Sequence, residues 1–227
     1  MHLLLLTLLL IALVYLPQWW VQSILNHYNR ESEPFPGNGG ELAQHLLKRF
    51  EVHGVKVEVT DQGDHYDPVQ RVVRLTGDKL DGRTLTAIAT AAHEVGHAIQ
   101  HASDYPPFRW RERLVRFALI SEQIGSFLLF SVPLIAAVTR LPAVGALMLL
   151  AALATIGVGV VVQLVTLPVE WDASFGKALP ILTKGGYINP KQELAVRRIL
   201  RACAMSYVAA SLAGLLNFWR WMRILRR

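Results

Sequence analysis

In the stretch TAAHEVGHAIQHA, residues 90–102, His93 and His97 lie four apart and Glu94 follows the first. On a helix, positions four apart fall about 40° from alignment and about 6 Å along the axis, so two imidazoles can aim at one ion from one face. Zinc takes imidazole nitrogen and carboxylate oxygen in a tetrahedral set and keeps one position open when it is catalytic. The ion acidifies a water and polarises a carbonyl, and a carboxylate beside the first ligand can shuttle the proton. This is the physical content of the H-E-x-x-H pattern. It predicts one Zn²⁺ on His93 and His97, with Glu94 as general base. The bland alternative is a core helix with incidental histidines.

One ligand is missing from the pattern. His101 lies about 12 Å along the same helix from His93, too far to share the ion. A chain reversal is not indicated either, because that pattern needs Gly and His where this chain has Gln100 and Ser103. His101 is expected to be a polar supporting residue. The third ligand must come from elsewhere, and Glu112, Glu122 and Glu170 are the acidic candidates. Glu112, within RWRER, suits a solvated ion pair. Glu170 opens EWDASFGKAL just after an apolar run, where an unpartnered carboxylate is costly.

The elements that must position these residues are set by an unusual composition. The 227 residues are 52% hydrophobic with a net charge of +6 and a mean hydropathy of +0.32. Charge is absent from long stretches and basic between them, the mark of an integral membrane protein. The single cysteine, Cys203, excludes an internal disulfide scaffold and a Cys-rich zinc module. Basic residues flank apolar spans instead of lining a polar face, which favours anionic lipid over nucleic acid. Paired charges within spans, expected of a transporter, are lacking; only Glu122 comes close.

Residues 3–20 are uncharged and long enough to cross about 30 Å of hydrocarbon. No Lys or Arg precedes them and no small-x-small cleavage site follows, so a retained span is expected rather than a signal peptide. Trp19 and Trp20 suit an interfacial belt. Residues 117–138 and 143–167 predict a tight hairpin joined by TRLP, and residues 202–219 a weaker fourth stretch. Lys and Arg number twelve in 21–116 and six in 170–201, against one in the hairpin turn. The positive excess predicts that both segments face the cytoplasm; four arginines after residue 219 argue against a full fourth crossing. The hairpin then returns residue 170 to the face that carries His93.

Within 21–116, NRESEPFPGNGG reads as a linker. ELAQHLLKRF reads as an amphipathic helix with Leu42, Leu46, Leu47 and Phe50 on one face. VKVEVT (55–60) and RVVRL (71–75) suit an antiparallel ribbon, with DQGDHYDPVQ as the intervening turn. His65 or Tyr66, on that loop, could donate to an oxyanion; a turn capped by Asp64 and Asp67 is the plain alternative. RVVRL could pair with an extended peptide, or simply form a core hairpin.

DHYDP, AAHEVGHAIQH, VTLPVEWDAS and ILRACAMSYVAA resemble the YugP-type neutral zinc metallopeptidases of bacterial membranes, over residues 30–215. That family is similar in layout to the HtpX-type and CAAX-prenyl membrane proteases. The resemblance implies His93, His97 and Glu170 as zinc ligands and Glu94 as base. In the broader relatives an Asp four residues after the ligand Glu supports a ligand His; here that position is Ser174, with Asp172 two residues after Glu170.

The expected fold is a mainly α membrane protein with a small α+β zincin-like lobe and three to four transmembrane helices. The expected divisions are a first span (1–20), a cytoplasmic catalytic lobe (21–116), a transmembrane hairpin (117–168), a cytoplasmic segment with the third ligand (169–201), and an apolar helix with a basic tail (202–227). The function implied is zinc-dependent cleavage of membrane or membrane-proximal polypeptides at the cytoplasmic face of the bacterial plasma membrane. The expected partners are the lipid bilayer and polypeptide substrates, with a membrane protein partner or homo-oligomer left open. The alternative is a membrane adaptor whose zinc is only structural.

Overall fold

The helix carrying both histidines, α4 (Leu85–Ala102), starts where Thr84 accepts a hydrogen bond from the Ala87 N–H at 3.1 Å. That side-chain cap satisfies one of the orphan donors of the first turn. Alanine is the commonest residue of the helix, and every residue from Thr86 to Ala98 is buried. Small side chains let neighbouring backbones crowd it on several sides.

The computed structural model describes residues 2–30 and 35–215. The expectations placed on 31–34, within the linker, and on 216–227, including RWMRILRR, lie outside the described residues. The chain divides into two compact units.

One unit joins Trp19–Arg109 with Leu167–Ser206. Around α4 it packs α2 (Gly39–Arg49), a small sheet, α3 (Gly77–Leu80), and the return segment after residue 167. Helix α2 begins with a capping box between Asn38 and Glu41. Leu42, Leu46 and Leu47 enter the core. Phe50, expected on the same face, caps the helix end and is 41% exposed; the chain has already left the helical path there. The last turns of α1 (His2–Arg30) belong to the same unit. Thr86 donates to the Leu25 carbonyl at 2.9 Å, and Thr84 donates to Asn29 at 2.8 Å.

The sheet corrects the expected antiparallel ribbon. Strand β1 (Lys56–Val59) pairs in parallel with β3 (Val72–Leu75), and β2 (His65–Asp67) pairs antiparallel with β3 from its other side. The order is β1-β3-β2. The segment read as a turn is thus itself a strand, and the extra reversal makes β1 and β3 run the same way. Strand β3 is central and paired on both edges, so RVVRL cannot accept an extended peptide. The real turn follows β2, where Asp67 accepts from the N–H groups of Val69 and Gln70. Asp64 ties the entry to β2 to the far end of β3. It accepts from the backbone and hydroxyl of Thr76 at 2.7 and 3.0 Å and pairs with Lys79 at 3.2 Å.

Among the described residues, the other unit comprises 2–18, 110–166 and 207–215. Two helices of the described chain are long and apolar enough to cross a membrane. They are α5 (Pro106–Thr139), at mean hydropathy 1.6 over its best window, and the apolar run from Ala143, at 2.4. Only Arg140 and Leu141 separate α5 from α6 (Pro142–Trp171), as the expected hairpin requires. None of the more apolar window is buried inside the chain. An uncovered apolar helix of this length is what lipid solvates. Helix α1 contains the whole 3–20 run, and α8 (Glu193–Leu215) contains the described part of 202–219.

Candidate metal centre

Glu170 reaches α4 because α6 does not stop where the apolar run ends. The sequence places Glu170 at the opening of a new helix; instead it is the penultimate residue of α6, which continues through a π-helical segment, Asp172–Ala178, into α7 (Leu179–Lys184). No loop interrupts the chain at that junction, and Pro168 is accommodated inside the helix. π turns recur at functional sites because they rotate side chains out of the α register.

The close approach of α4 to this segment depends on Gly96. A Cβ on residue 96 would stand 2.8 Å from the carbonyl oxygen of Ala173. Any side chain would push the two backbones apart. The glycine of HEVGH therefore serves packing rather than ligation.

The result is a buried meeting of three acceptors. Glu170 Oε2 lies 3.4 Å from His93 Nε2 and 3.1 Å from His97 Nε2, and all three side chains are 1% exposed. One ligand atom from each residue lies within 4.8 Å of the others, and among the described residues this is the group of three or more that could hold a metal. Glu112 and Glu122 are not in it. Glu94, the next residue along α4 after His93, is buried at 3% exposure.

The partners of the two rings define their tautomers. Ser174 donates its single proton to the Leu200 carbonyl at 2.9 Å, so at 3.0 Å it can only accept from His93 Nδ1–H. Gln100 donates both amide protons, to the Val169 carbonyl at 2.9 Å and to Asp172 Oδ2 at 2.8 Å. Its Oε1 therefore accepts from His97 Nδ1–H at 2.9 Å. Both Nε2 atoms are left with lone pairs facing a buried carboxylate oxygen. Three electron-rich atoms so arranged could hold a metal cation among them.

Of the two residues that could support a ligand histidine, Ser174 touches His93 directly, while Asp172 is connected to His97 by hydrogen bonds through Gln100. The sequence alone assigns Gln100 no role at the site. Its signal is a fully buried amide three residues after His97, on the same helical face.

His65 and Tyr66 lie in β2 rather than in a loop, and successive strand residues point to opposite faces. His65 turns back to bond the Gly63 carbonyl at 2.8 Å. Tyr66 is buried, and its hydroxyl bonds His101 Nδ1 at 2.9 Å. Both rings pack on Phe108, whose ring centre lies 6.1 Å from that of His97. His101 is thus a supporting polar residue, as its spacing implies.

Residues 3–226 match a family model described as "Putative neutral zinc metallopeptidase". The chain belongs to this family. It is also 34% identical, over 96% of its length and 94% of the relative's, to "Putative membrane protease YugP" of Bacillus subtilis (strain 168). No solved structure matches it. The donor set suits the metal in the family's description: two neutral imidazole nitrogens and one carboxylate oxygen are ligands zinc takes, and three protein ligands leave a position open. For this neutral zinc metallopeptidase family, the membrane character of the relative agrees with the two apolar helices.

Proposed function

We propose that the protein is a membrane-embedded zinc metalloendopeptidase whose ligands are His93, His97 and Glu170 and whose general base is Glu94. The observation that carries this reading is the buried convergence of the two Nε2 atoms on Glu170 Oε2, with both Nδ1 protons already committed elsewhere. Bound there, zinc supplies a Lewis acid that lowers the pKa of water and polarises the scissile carbonyl.

The chain's own residues do the rest. Ser174 and Gln100 hold the imidazoles in the tautomer that presents Nε2. Glu94 accepts the proton of the attacking water and returns it to the amine nitrogen as the C–N bond breaks, so it ends each cycle as it began. Of the two residues considered for steadying the oxyanion, Tyr66 has its hydroxyl on His101 and His65 bonds the Gly63 carbonyl.

The substrates are membrane or membrane-proximal polypeptides, a class supported by the printed name of the relative and by the apolar hairpin. Helix α1 adds a third crossing, the basic segments 21–116 and 170–201 face the cytoplasm, and the site lies at that face. The bilayer is the standing partner.

Replacing Glu94 with Gln tests the reading. The variant keeps its zinc and loses cleavage of a model membrane polypeptide by roughly 100- to 10,000-fold. Undiminished cleavage by a zinc-loaded E94Q protein removes the proposed base. If the wild type binds zinc but cleaves no polypeptide, the alternative of a structural zinc in an adaptor takes its place.

A further inference from the structure

We propose that Gln100 is a positioning residue that transmits the charge of Asp172 to His97, making the two ligand histidines chemically unequal. The inference rests on the reading of His93 and His97 as zinc ligands.

Three features place this relay. First, Gln100 is fully buried, and its amide is used completely: Oε1 takes the His97 proton, and Nε2 serves Val169 and Asp172. Flipping the amide would set Oε1 against two acceptors, so its orientation is fixed. Second, Asp172 stands at the edge of the site, with 24% side-chain exposure and an ion pair to Lys177 at 3.3 Å. The five-residue separation matches the i→i+5 register of the π turn that holds both. Third, a Cβ on residue 176 would lie 2.2 Å from Asp172 Oδ1. Gly176 thus leaves room for the carboxylate to fold across its own turn toward Gln100.

The arrangement solves an electrostatic problem. A carboxylate set directly against His97 would be a second buried anion beside Glu170, at a large desolvation cost. An amide interposed between them lets the anion remain partly hydrated and paired. An amide that donates to a carboxylate becomes a stronger acceptor through polarisation. His97 therefore donates to an acceptor polarised by Asp172, whereas His93 donates to a neutral hydroxyl backed by a backbone carbonyl. Outer partners of this kind tune metal affinity.

The test uses the full-length protein in detergent. It compares zinc affinity by chelator competition and the visible spectrum after Co²⁺ substitution for the wild type, Q100L, D172N and Q100L/D172N. Removing the amide in Q100L weakens zinc binding about 10- to 100-fold and shifts the cobalt bands. D172N keeps the size of the side chain and removes its charge; it weakens binding and shifts the bands in the same direction. Because the charge reaches His97 through the amide, adding D172N to Q100L changes affinity and spectrum no further, whereas two independent losses would add. Wild-type affinity and an unshifted spectrum in Q100L overturn the relay. If Q100L does not fold, a folded D172N with wild-type affinity and an unshifted spectrum overturns it instead. A wild type that binds no zinc removes the ligand reading as well, which separates the two failures.

Discussion

Ser174 accepts the Nδ1 proton of His93 across 3.0 Å while giving its own proton to the Leu200 carbonyl. A serine can hold this orientation only because both of its partners are fixed by helices, α4 on one side and α8 on the other. Truncation to alanine leaves a buried imidazole N–H without its acceptor. S174A is expected to lose about 1–3 kcal/mol of stability and about 10- to 100-fold in zinc affinity. Thermal unfolding of the metal-free protein reads the first effect and chelator competition the second.

Gly96 carries a prediction of a different kind, because it touches no metal. Adding one methyl places Cβ 2.8 Å from the Ala173 carbonyl oxygen, and neither backbone can yield without moving Glu170 relative to His97. G96A should cost about 1–3 kcal/mol through overpacking. It should also lower bound zinc, measured by metal analysis of folded protein. A variant that is destabilised yet fully zinc-loaded would show that the helix contact does not set the ligand distances.

The β2–β3 turn gives a pH-dependent prediction outside the apolar helices. Burial works to raise the Asp67 pKa, but hydrogen bonds from the Gln70 backbone, the Arg74 side chain and the Val69 backbone outweigh it and hold the carboxyl below its usual value. A depressed folded pKa contributes stability above the unfolded value, and that contribution is lost as pH falls through the folded one. D67N should therefore be less stable than wild type by about 1 kcal/mol at pH 7. The gap should close below about pH 4. Unfolding curves across that range check it; a gap that persists in acid would assign the effect to something other than the charge.

The histidine helix was legible in the sequence because the spacing of its histidines and its alanine content both bear on one helix; its cap, Thr84, came from the structure. The apolar hairpin was legible for the same reason: length and charge decide it. The sheet was not. Strand β2 has only three residues, two of its neighbours are turn formers, and its pairing with β3 is a tertiary choice that local propensity does not encode. Nor did the chain announce that α6 runs on past Glu170, since a π turn has no residue signature. Gln100 escaped because an uncharged amide in an apolar helix stands out only once its partners on the return segment are known.

The central claim is that Glu170 completes a zinc site with His93 and His97, and metal content is its most direct measure. Purified wild type and E94Q should each carry about one zinc per chain, as a three-ligand site with one open position requires. E170A should carry little or none while retaining its helical content. Zinc retained at full occupancy in folded E170A would contradict the account.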